Sequence, residues 1–524
     1  MTATPLPGPA AGPADAPWLD GRRLALAVAA CTVVLHCVVN LLSPYGFQRD
    51  EFLYFAMGQH LRFWRMDFPP FIAVVANAER GIFGESLLAM RLASALAGGV
   101  IVYVAMRAAA RLGGRTLALS LTALTLLSSA LYLRAANLFQ PVILDQLWWT
   151  LGLYTLLRLR QTGGRRRWLV LGVVGGLGLL TKFSILFFGF SVLVALVLSP
   201  QRRDLATRWP WLALLIALAI GSPSIVGQVR LGFPVVGQLR DLQAVQLAHV
   251  TPLDFVFGQI LLTGPAFFLA AAAVAALLLA KRWAQLRIVG WTALAAFTTL
   301  LVLHGKHYYL GPIYPVLFGI GAVLIEGGWN GRRPKASRWA LVVLQLGWGT
   351  LLWPVGLPLL APERMEAYTR RTGLAPFVNG TNTGGRLRLP QDYADMLGWE
   401  DRVQAVARVY ASLDPVRRTK AVIIAGNWGE AGALDFLGPR QGLPGAISPS
   451  GSYWFFGPGA KRAEVAVTIG IREESLRRYY GKVAAAAKLL NAWTVREEQD
   501  LTVYVCEEPG GAIQDVWPGL AGRN

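Results

Sequence analysis

Cysteine and charge are both scarce in this chain. Its 524 residues include three cysteines, of which Cys31 and Cys37 share one apolar stretch and leave Cys506 alone near the C-terminus. This excludes a disulfide framework and a cysteine metal site. Charged residues make up 15% of the chain and hydrophobic residues 54%. That balance excludes an ordinary soluble protein and is typical of polytopic membrane proteins.

The positive charge is concentrated in one part of the chain. The formal net charge is +20, but residues 1–361 hold 30 Lys and Arg against 12 Asp and Glu, while residues 362–524 hold 20 against 18. The excess lies in the apolar part, between its hydrophobic runs, as in the cytoplasmic loops of membrane proteins. The charge therefore indicates membrane topology, and no nucleic-acid partner is predicted.

Apolar segments of about 20 residues predict transmembrane helices. Basic residues fall in alternate loops, which predicts that these loops and the N-terminus are cytoplasmic. Eight of the 12 acids of this part fall on the opposite side. We predict a polytopic α-helical bundle with eleven spans, near residues 23–42, 87–107, 115–132, 142–159, 168–181, 183–199, 210–229, 257–280, 288–303, 312–328 and 339–360.

The composition changes near residue 361, and this change predicts three parts. Residues 1–21 form a disordered cytoplasmic N-terminus, residues 22–361 form a transmembrane domain with a large first external loop at 43–86, and residues 362–524 form a small extracytoplasmic α/β domain. Within the last part the patterns predict strands at 421–426, 464–471 and 501–506, and helices at 429–437 and 473–490.

An acidic pair, Asp50 and Glu51, directly follows the first apolar segment. An ionised carboxylate facing lipid costs about 3 kcal/mol, so such residues usually line a polar cavity. The hydrated end of a loop explains the pair equally well. Asp67 lies in the same loop, and Asp145 lies at the external start of the fourth predicted span. The interleaved aromatic and basic residues of the loop predict amphipathic helices on the membrane surface.

Cationic and hydroxyl-bearing residues are predicted on the same external face. They are Lys182, His304, Lys306, Tyr308 and Tyr309. Such donors bind phosphate, and apolar helices beside them accommodate a lipid chain, so we predict a lipid-linked phosphate as ligand. If a sugar is attached to that phosphate, one carboxylate base and one cationic clamp suffice for its transfer. The His304-x-x-His307 spacing lies on a loop with Lys306 inside it, so we predict no metal site there.

These landmarks occur in an order that resembles a known family. The pattern is similar to the integral-membrane glycosyltransferases of the GT-C superfamily, specifically the dolichyl-phosphate-mannose protein mannosyltransferase-like group (family 39) that includes bacterial aminoarabinose transferases. The resemblance covers residues 20 to about 330. It rests on Asp50-Glu51, Asp67-x-Pro69-Pro70, Asp145, the Gly-Leu-Leu-Thr stretch that ends at Lys182, and the loop from His304 to Tyr309.

The resemblance implies an inverting transfer of a hexosyl or pentosyl group from a polyprenyl-phosphate sugar, on the outer side of a bacterial-type plasma membrane. The acceptor implied is a lipid, a glycan or a protein; protein is less favoured because the tail differs from the soluble domain of eukaryotic members. Asp50 is implied as the base, Glu51 as an acceptor-orienting residue or alternative base, and Asp145 as a positioning residue. Substrate binding is implied for Asp67, Lys182, His304, Lys306, Tyr308 and Tyr309. The segment from Tyr393 to Trp399 resembles bacterial tails, with no role implied.

Two rival functions are left open by the sequence. A transporter or flippase of a lipid-linked sugar or anionic solute needs the same cations, but its usual internal repeat is not visible. A non-catalytic assembly subunit that presents the tail domain is the other rival. No cofactor is predicted with certainty, although carboxylates near a phosphate are also suited to hold Mg²⁺ or Mn²⁺.

Overall fold

The computed structural model describes residues 21–162, 164–327 and 335–521. The chain forms two compact units. The first comprises residues up to Leu42, Arg91–Val229 and Val235–Leu357, and the second comprises Ser43–Met90, Arg230–Pro234 and the chain from Pro358 onward. The predicted disordered N-terminus, residues 1–21, lies outside the described residues except for Gly21. The first external loop thus folds in the same unit as the C-terminal region.

The first unit is helical, as expected for apolar stretches that must satisfy their own backbone groups in a membrane. Its α-helices are Gly21–Leu42, Leu92–Arg111, Thr116–Leu127, Ala130–Ala135, Pro141–Thr162, Arg166–Thr181, Ile185–Leu198, Arg208–Arg230, Pro234–Val245, Pro252–Thr263, Ala266–Leu279, Arg287–Val302, Tyr314–Gly327 and Lys335–Gly356. Its 3-10 helices are Pro200–Ala206, Leu247–His249, Lys281–Leu286 and His307–Ile313, and the 3-10 helix Ala89–Arg91 lies where the chain passes from the second unit to the first.

Small residues let these helices approach closely, a common feature of membrane helix packing. Gly172 lies against the backbone of Ala213, and Gly319 lies against the backbone of Ala105. A Cβ atom added at Gly172 would lie 2.5 Å from the Ala213 carbonyl oxygen, and one added at Gly319 would lie 2.7 Å from that of Ala105. Larger side chains at either position would therefore push the helices apart.

The number of membrane crossings is lower than predicted when it is judged by helix length and apolarity. Among the described residues six helices are long and apolar enough to span a bilayer, or eight if each of two bent helix pairs is one span. Each predicted span overlaps a helix or a helix pair, but a count of eleven is not confirmed. Thr116–Leu127, for example, has only 12 residues, and about 20 are needed to cross the hydrocarbon core.

The predicted span at 257–280 is broken in the middle. Helices Pro252–Thr263 and Ala266–Leu279 meet at an angle of 110°. Gly264 adopts a φ of +62°, which ends the first helix, and Pro265 precedes the second helix, where its missing N–H costs nothing. The hydropathy of the segment is continuous, so only these two residues indicated the break.

The second unit contains a five-stranded sheet in the order β2-β1-β3-β5-β4. Its strands are β1 (Ala421–Ala425), β2 (Ala446–Ile447), β3 (Val465–Ile469), β4 (Tyr480–Leu490) and β5 (Asp500–Pro509). Strand β1 pairs in parallel with β2 and β3, whereas β5 pairs antiparallel with β3 and β4. The three strands predicted from the sequence are confirmed.

The helix predicted at residues 473–490 is wrong. Only Glu473–Leu476 is helical, and Tyr480–Leu490 is the edge strand β4. Its alanine run favours a helix by intrinsic propensity, but the strand pairs along its whole length with β5. Cross-strand ion pairs join Lys482 to Glu508, and Lys488 to Asp500 at 3.2 Å. Tertiary pairing thus overrides local preference.

The second unit also contains helices, and two of them lie in the predicted first external loop. Its α-helices are Arg49–Gln59, Phe71–Phe83, Pro362–Arg371, Ala375–Val378, Gln391–Ala394, Trp399–Ser412, Pro415–Lys420, Trp428–Leu437, Ser452–Phe456, Glu473–Leu476 and Ile513–Val516, with 3-10 helices Gly438–Gln441, Arg496–Glu498 and Trp517–Leu520.

Helix Arg49–Gln59 of the predicted first loop packs on helix Trp428–Leu437. Phe52 and Phe55 are buried, and their ring centroids lie 6.2 and 4.6 Å from that of Phe436. These two aromatics therefore lie between two helices, and the membrane-surface placement of the loop's helices stays a prediction. Burial between two helices removes their apolar surface from water equally well.

Candidate active site

Asp50 lies in the first turn of helix Arg49–Gln59 and is half-buried. Its amide donates a hydrogen bond to the Gln48 side-chain oxygen at 2.8 Å. Its Oδ1 accepts a hydrogen bond from Trp428 Nε1 at 3.3 Å. The side chain is thus oriented by an indole and partly open to its surroundings, so a proton donor can come within hydrogen-bond reach of it.

Glu51, its neighbour, is fully buried. Its Oε2 accepts a hydrogen bond from the amide of Gln48 at 2.6 Å, and Gln48 and Glu51 together form a capping box at the helix start. This arrangement satisfies two amides that the helix leaves unpaired. Glu51 therefore caps the start of the helix. Its predicted role as an acceptor-orienting residue or alternative base stays a prediction.

Asp67 is also buried, with 1% of its surface exposed. Its Oδ2 accepts a hydrogen bond from the Ser452 hydroxyl at 2.8 Å. Burial raises the pKa of Asp67 to about 6, against the opposing effect of this hydrogen bond. Asp67 is therefore held inside the second unit, and its predicted contact with substrate stays a prediction.

Asp395 is a buried carboxylate near Asp50 that the sequence did not single out. It follows the short helix Gln391–Ala394 and has 1% of its surface exposed. Its Oδ1 lies 3.8 Å from Arg49 Nε, and its Oδ2 accepts a 3.4 Å hydrogen bond from Gln48 Nε2. Burial raises the pKa of Asp395 to about 8, although the Arg49 guanidinium opposes the shift.

In the first unit, Asp145 lies one turn into helix Pro141–Thr162, and 5% of its surface is exposed. Its Oδ1 accepts a hydrogen bond from Trp149 Nε1 at 3.1 Å, one turn along the same helix. The carboxylate also interacts electrostatically with Lys182. A buried carboxylate in a membrane helix needs such a partner.

Lys182 ends helix Arg166–Thr181 and has extended backbone angles. Its ammonium nitrogen lies 4.8 Å from the ring centroid of Tyr309 and 5.6 Å from that of Tyr308. The Lys306 ammonium lies 6.0 Å from the Tyr308 centroid. The structure therefore brings two predicted phosphate-binding lysines next to the rings of the two predicted phosphate-binding tyrosines. Lys182 also interacts electrostatically with Asp145.

His304 is exposed and adopts a positive φ of 53°. Its Nδ1 lies within hydrogen-bond distance, 2.8 Å, of the Val250 carbonyl oxygen. This contact ties the loop to a neighbouring turn and gives the histidine a structural role. Its predicted phosphate contact stays a prediction.

The predicted site residues form two groups, one in each unit. Asp50, Glu51 and Asp67 belong to the second unit, and the others belong to the first. In the ranges 21–162, 164–327 and 335–521, the structure contains no cluster of three or more His, Cys, Asp or Glu suited to a metal ion.

Comparison with known proteins bears on both units. Residues 67–226 match the sequence model of a family described as dolichyl-phosphate-mannose-protein mannosyltransferase. The predicted GT-C resemblance is confirmed. The matched region starts at Asp67 and includes Asp145 and Lys182. No curated protein matches the chain.

Solved structures show a similar fold over nearly the whole chain. The crystal structure of ArnT from Cupriavidus metallidurans bound to undecaprenyl phosphate is similar, with a TM-score of 0.57 and 16% identity, covering 96% of this chain and 99% of that one. The apo structure of the same protein gives a TM-score of 0.59 and 17% identity over the same shares. At this identity the likeness establishes the fold, including the C-terminal region that the family model does not cover.

Proposed function

We propose that this protein is a membrane glycosyltransferase that moves a sugar from a polyprenyl-phosphate donor to an acceptor on the outer side of the membrane. The family match at residues 67–226 supports a sugar transferase. The related fold of ArnT, whose structure holds undecaprenyl phosphate, supports a polyprenyl-phosphate donor. Transfer is by direct displacement, which inverts the anomeric carbon.

Asp50 is the base in this proposal, and its partial exposure carries the assignment. Of the three first-loop carboxylates predicted as site residues, Glu51 and Asp67 have 0% and 1% of their surface exposed, whereas Asp50 is half-buried. A base must come within hydrogen-bond reach of the proton it takes. Asp50 removes the acceptor proton as the acceptor oxygen or nitrogen attacks the anomeric carbon and the lipid phosphate leaves.

The leaving phosphate needs positive charge and hydrogen-bond donors. Lys182 and Lys306, with the hydroxyls of Tyr308 and Tyr309, supply both from a single cluster in the first unit. Because the sugar phosphate is already a good leaving group, electrostatic stabilisation of its charge is the main requirement. A divalent cation, Mg²⁺ or Mn²⁺, is a separate proposal that EDTA treatment tests directly.

The experiment uses the full chain in lipid nanodiscs with radiolabelled undecaprenyl-phosphate mannose and undecaprenyl-phosphate aminoarabinose. Asp50→Asn keeps the size of the side chain and removes the base, so we expect at least about a 100-fold loss of sugar release or transfer. Asp241→Asn, at an exposed aspartate of helix Pro234–Val245, is the matched control and keeps full activity. Equal turnover in wild type and Asp50→Asn would reject the assignment.

One observation bears on the alternative, a transporter or flippase. The break between helices Pro252–Thr263 and Ala266–Leu279 is of the kind that transporters use at a binding site. The second bent pair, however, joins Ile185–Leu198 to the 3-10 helix Pro200–Ala206, which carries Arg202 and Arg203 of a predicted cytoplasmic loop. The two bends are thus not equivalent, and the transferase is favoured. Movement of intact donor between leaflets without sugar release would favour the transporter.

A further inference from the structure

The residues just before Asp50 are held by a carboxylate far along the chain. Gln48 Nε2 donates to Asp395 Oδ2 at 3.4 Å, and Gln48 Oε1 accepts from the amide of Asp50 at 2.8 Å. Arg49 Nε lies 3.8 Å from Asp395 Oδ1. Asp395 is thus linked to the backbone of Asp50 through the side chain of Gln48.

Backbone hydrogen bonds join the same two segments. The amide of Arg49 donates to the carbonyl oxygen of Asp395 at 3.1 Å, and the amide of Gly46 donates to that of Met396 at 3.3 Å. Trp399 Nε1 also donates to the Asp395 carbonyl oxygen at 2.8 Å. Because Asp395 is buried, these bonds form in a low-dielectric setting where losing one is costly.

A second route leads from Asp395 to the carboxylate of Asp50. The Arg49 guanidinium, which faces Asp395, lies 5.5 Å from the ring centroid of Trp428. Trp428 Nε1 donates to Asp50 Oδ1. Gly429 permits this arrangement, because a Cβ atom there would clash with Arg49 Cγ. Both the backbone and the side chain of Asp50 are therefore fixed by groups that Asp395 holds.

We propose that Asp395 is a positioning residue of the transfer reaction, which fixes the orientation of Asp50 through Gln48 and Arg49. The inference rests on the proposed role of Asp50 as base. It also means that the C-terminal region contributes to the reaction by helping to position the base. A displacement of about 1 Å of a reacting group can cost on the order of 100-fold in rate.

The test compares Asp395→Ala with Asp395→Asn in the full chain in nanodiscs, with the same two radiolabelled donors. Asp395→Ala removes the carboxylate that contacts Gln48 and Arg49, so we expect kcat to fall about 10- to 100-fold with the donor KM changed less than about twofold. Asp395→Asn keeps an acceptor for Gln48 Nε2 and recovers part of the activity. Glu474→Ala, at an exposed acid of the same unit, is the control and changes neither constant.

Hydrogen exchange supplies a readout that does not depend on activity. In Asp395→Ala we expect faster exchange of the peptide covering residues 46–52, with the peptide covering β5 unchanged. Unchanged exchange at residues 46–52 in Asp395→Ala overturns the positioning role. Faster exchange at these residues with a normal kcat also overturns it. So does faster exchange throughout the unit in both Asp395→Ala and Asp395→Asn. A different result separates the two proposals. If the wild type and Asp50→Asn both transfer no sugar, but Asp395→Ala still exchanges faster at residues 46–52, the proposed function is rejected. The structural link from Asp395 to the segment before Asp50 is then still supported.

Discussion

The hydroxyl of Ser452 donates a hydrogen bond to Asp67 Oδ2 at 2.8 Å, with both side chains almost fully buried. The two residues are 385 positions apart, so this bond joins the loop after the first apolar segment to the C-terminal region within one unit. A buried carboxylate that loses its donor keeps its desolvation penalty. The bond is therefore expected to stabilise the unit.

Ser452→Ala should lower the free energy of unfolding of this unit by about 1–3 kcal/mol, because it removes the hydroxyl that donates to the buried Asp67 carboxylate. It should also raise the pKa of Asp67, since the Ser452 hydrogen bond lowers that value. Urea unfolding followed by tryptophan fluorescence measures the first effect. Ser475→Ala, at a partly exposed serine in helix Glu473–Leu476, is the control, and equal midpoints for the two variants would contradict the prediction.

Long apolar runs and short buried strands were predictable because each encodes its structure locally. The segment Gly21–Leu42 and the strands β1, β3 and β5 were therefore found near their true bounds. Strand β4 was missed, because its alanines favour a helix and its pairing with β5 depends on residues 500–509. The break at Gly264 was missed because hydropathy averages over single residues.

The site was predictable to a different extent. Unusual charges in apolar surroundings identified Asp50, Asp145 and Lys182, and the structure places Lys182 beside the predicted Tyr308 and Tyr309. Asp395 carried no such signal, because acids are common in the polar C-terminal region. Its hydrogen bond to Gln48 spans 347 positions, a contact that only the folded chain reveals.

Four buried carboxyl groups of the second unit should each contribute less to its stability as pH rises from about 4 to about 8. Burial raises the pKa of Asp67 and Asp435 to about 6, of Glu430 to about 7 and of Asp395 to about 8. Between its unfolded and folded pKa, each group binds more protons in the folded state, so raising pH favours unfolding. The stabilisation that these carboxyl groups provide is fully present below about pH 4 and is lost progressively as pH rises to about 8.

Thermal unfolding of the full chain between pH 5 and pH 8.5 measures this dependence. Asp435→Asn is the informative variant, since Asp435 accepts hydrogen bonds from Tyr453 and from the amide of Ala446. Because the variant does not titrate, its unfolding temperature should change less between pH 5 and pH 7 than that of the wild type. A wild-type unfolding temperature that rises with pH across this window would disprove the prediction.

Lys182→Gln should weaken catalysis through the donor phosphate. The variant removes the ammonium that lies over the rings of Tyr308 and Tyr309, and the loss of a charge-assisted contact is worth about 10- to 100-fold in kcat/KM. Lys182→Arg keeps the charge and should retain more activity. Steady-state kinetics with the radiolabelled donors measures both variants.

Two controls separate charge from packing at this cluster. Lys281→Gln, at an exposed lysine of a predicted cytoplasmic loop, should leave kcat/KM unchanged. Tyr309→Phe keeps the ring under Lys182 and removes only the hydroxyl, so it should cost less than Lys182→Gln. If Lys182→Gln, Lys281→Gln and Tyr309→Phe all have the same kcat/KM, the cluster does not bind the donor.

The side of the membrane on which each loop lies is testable with single cysteines in a chain lacking Cys31, Cys37 and Cys506. Ala485 is exposed on β4, and Ala206 is exposed at the end of 3-10 helix Pro200–Ala206. The positive loops predict that a membrane-impermeant maleimide labels Ala485→Cys in intact cells and labels Ala206→Cys only after permeabilisation. The reverse pattern would place the C-terminal region, with Asp395, in the cytoplasm and would remove it from any reaction on the outer surface.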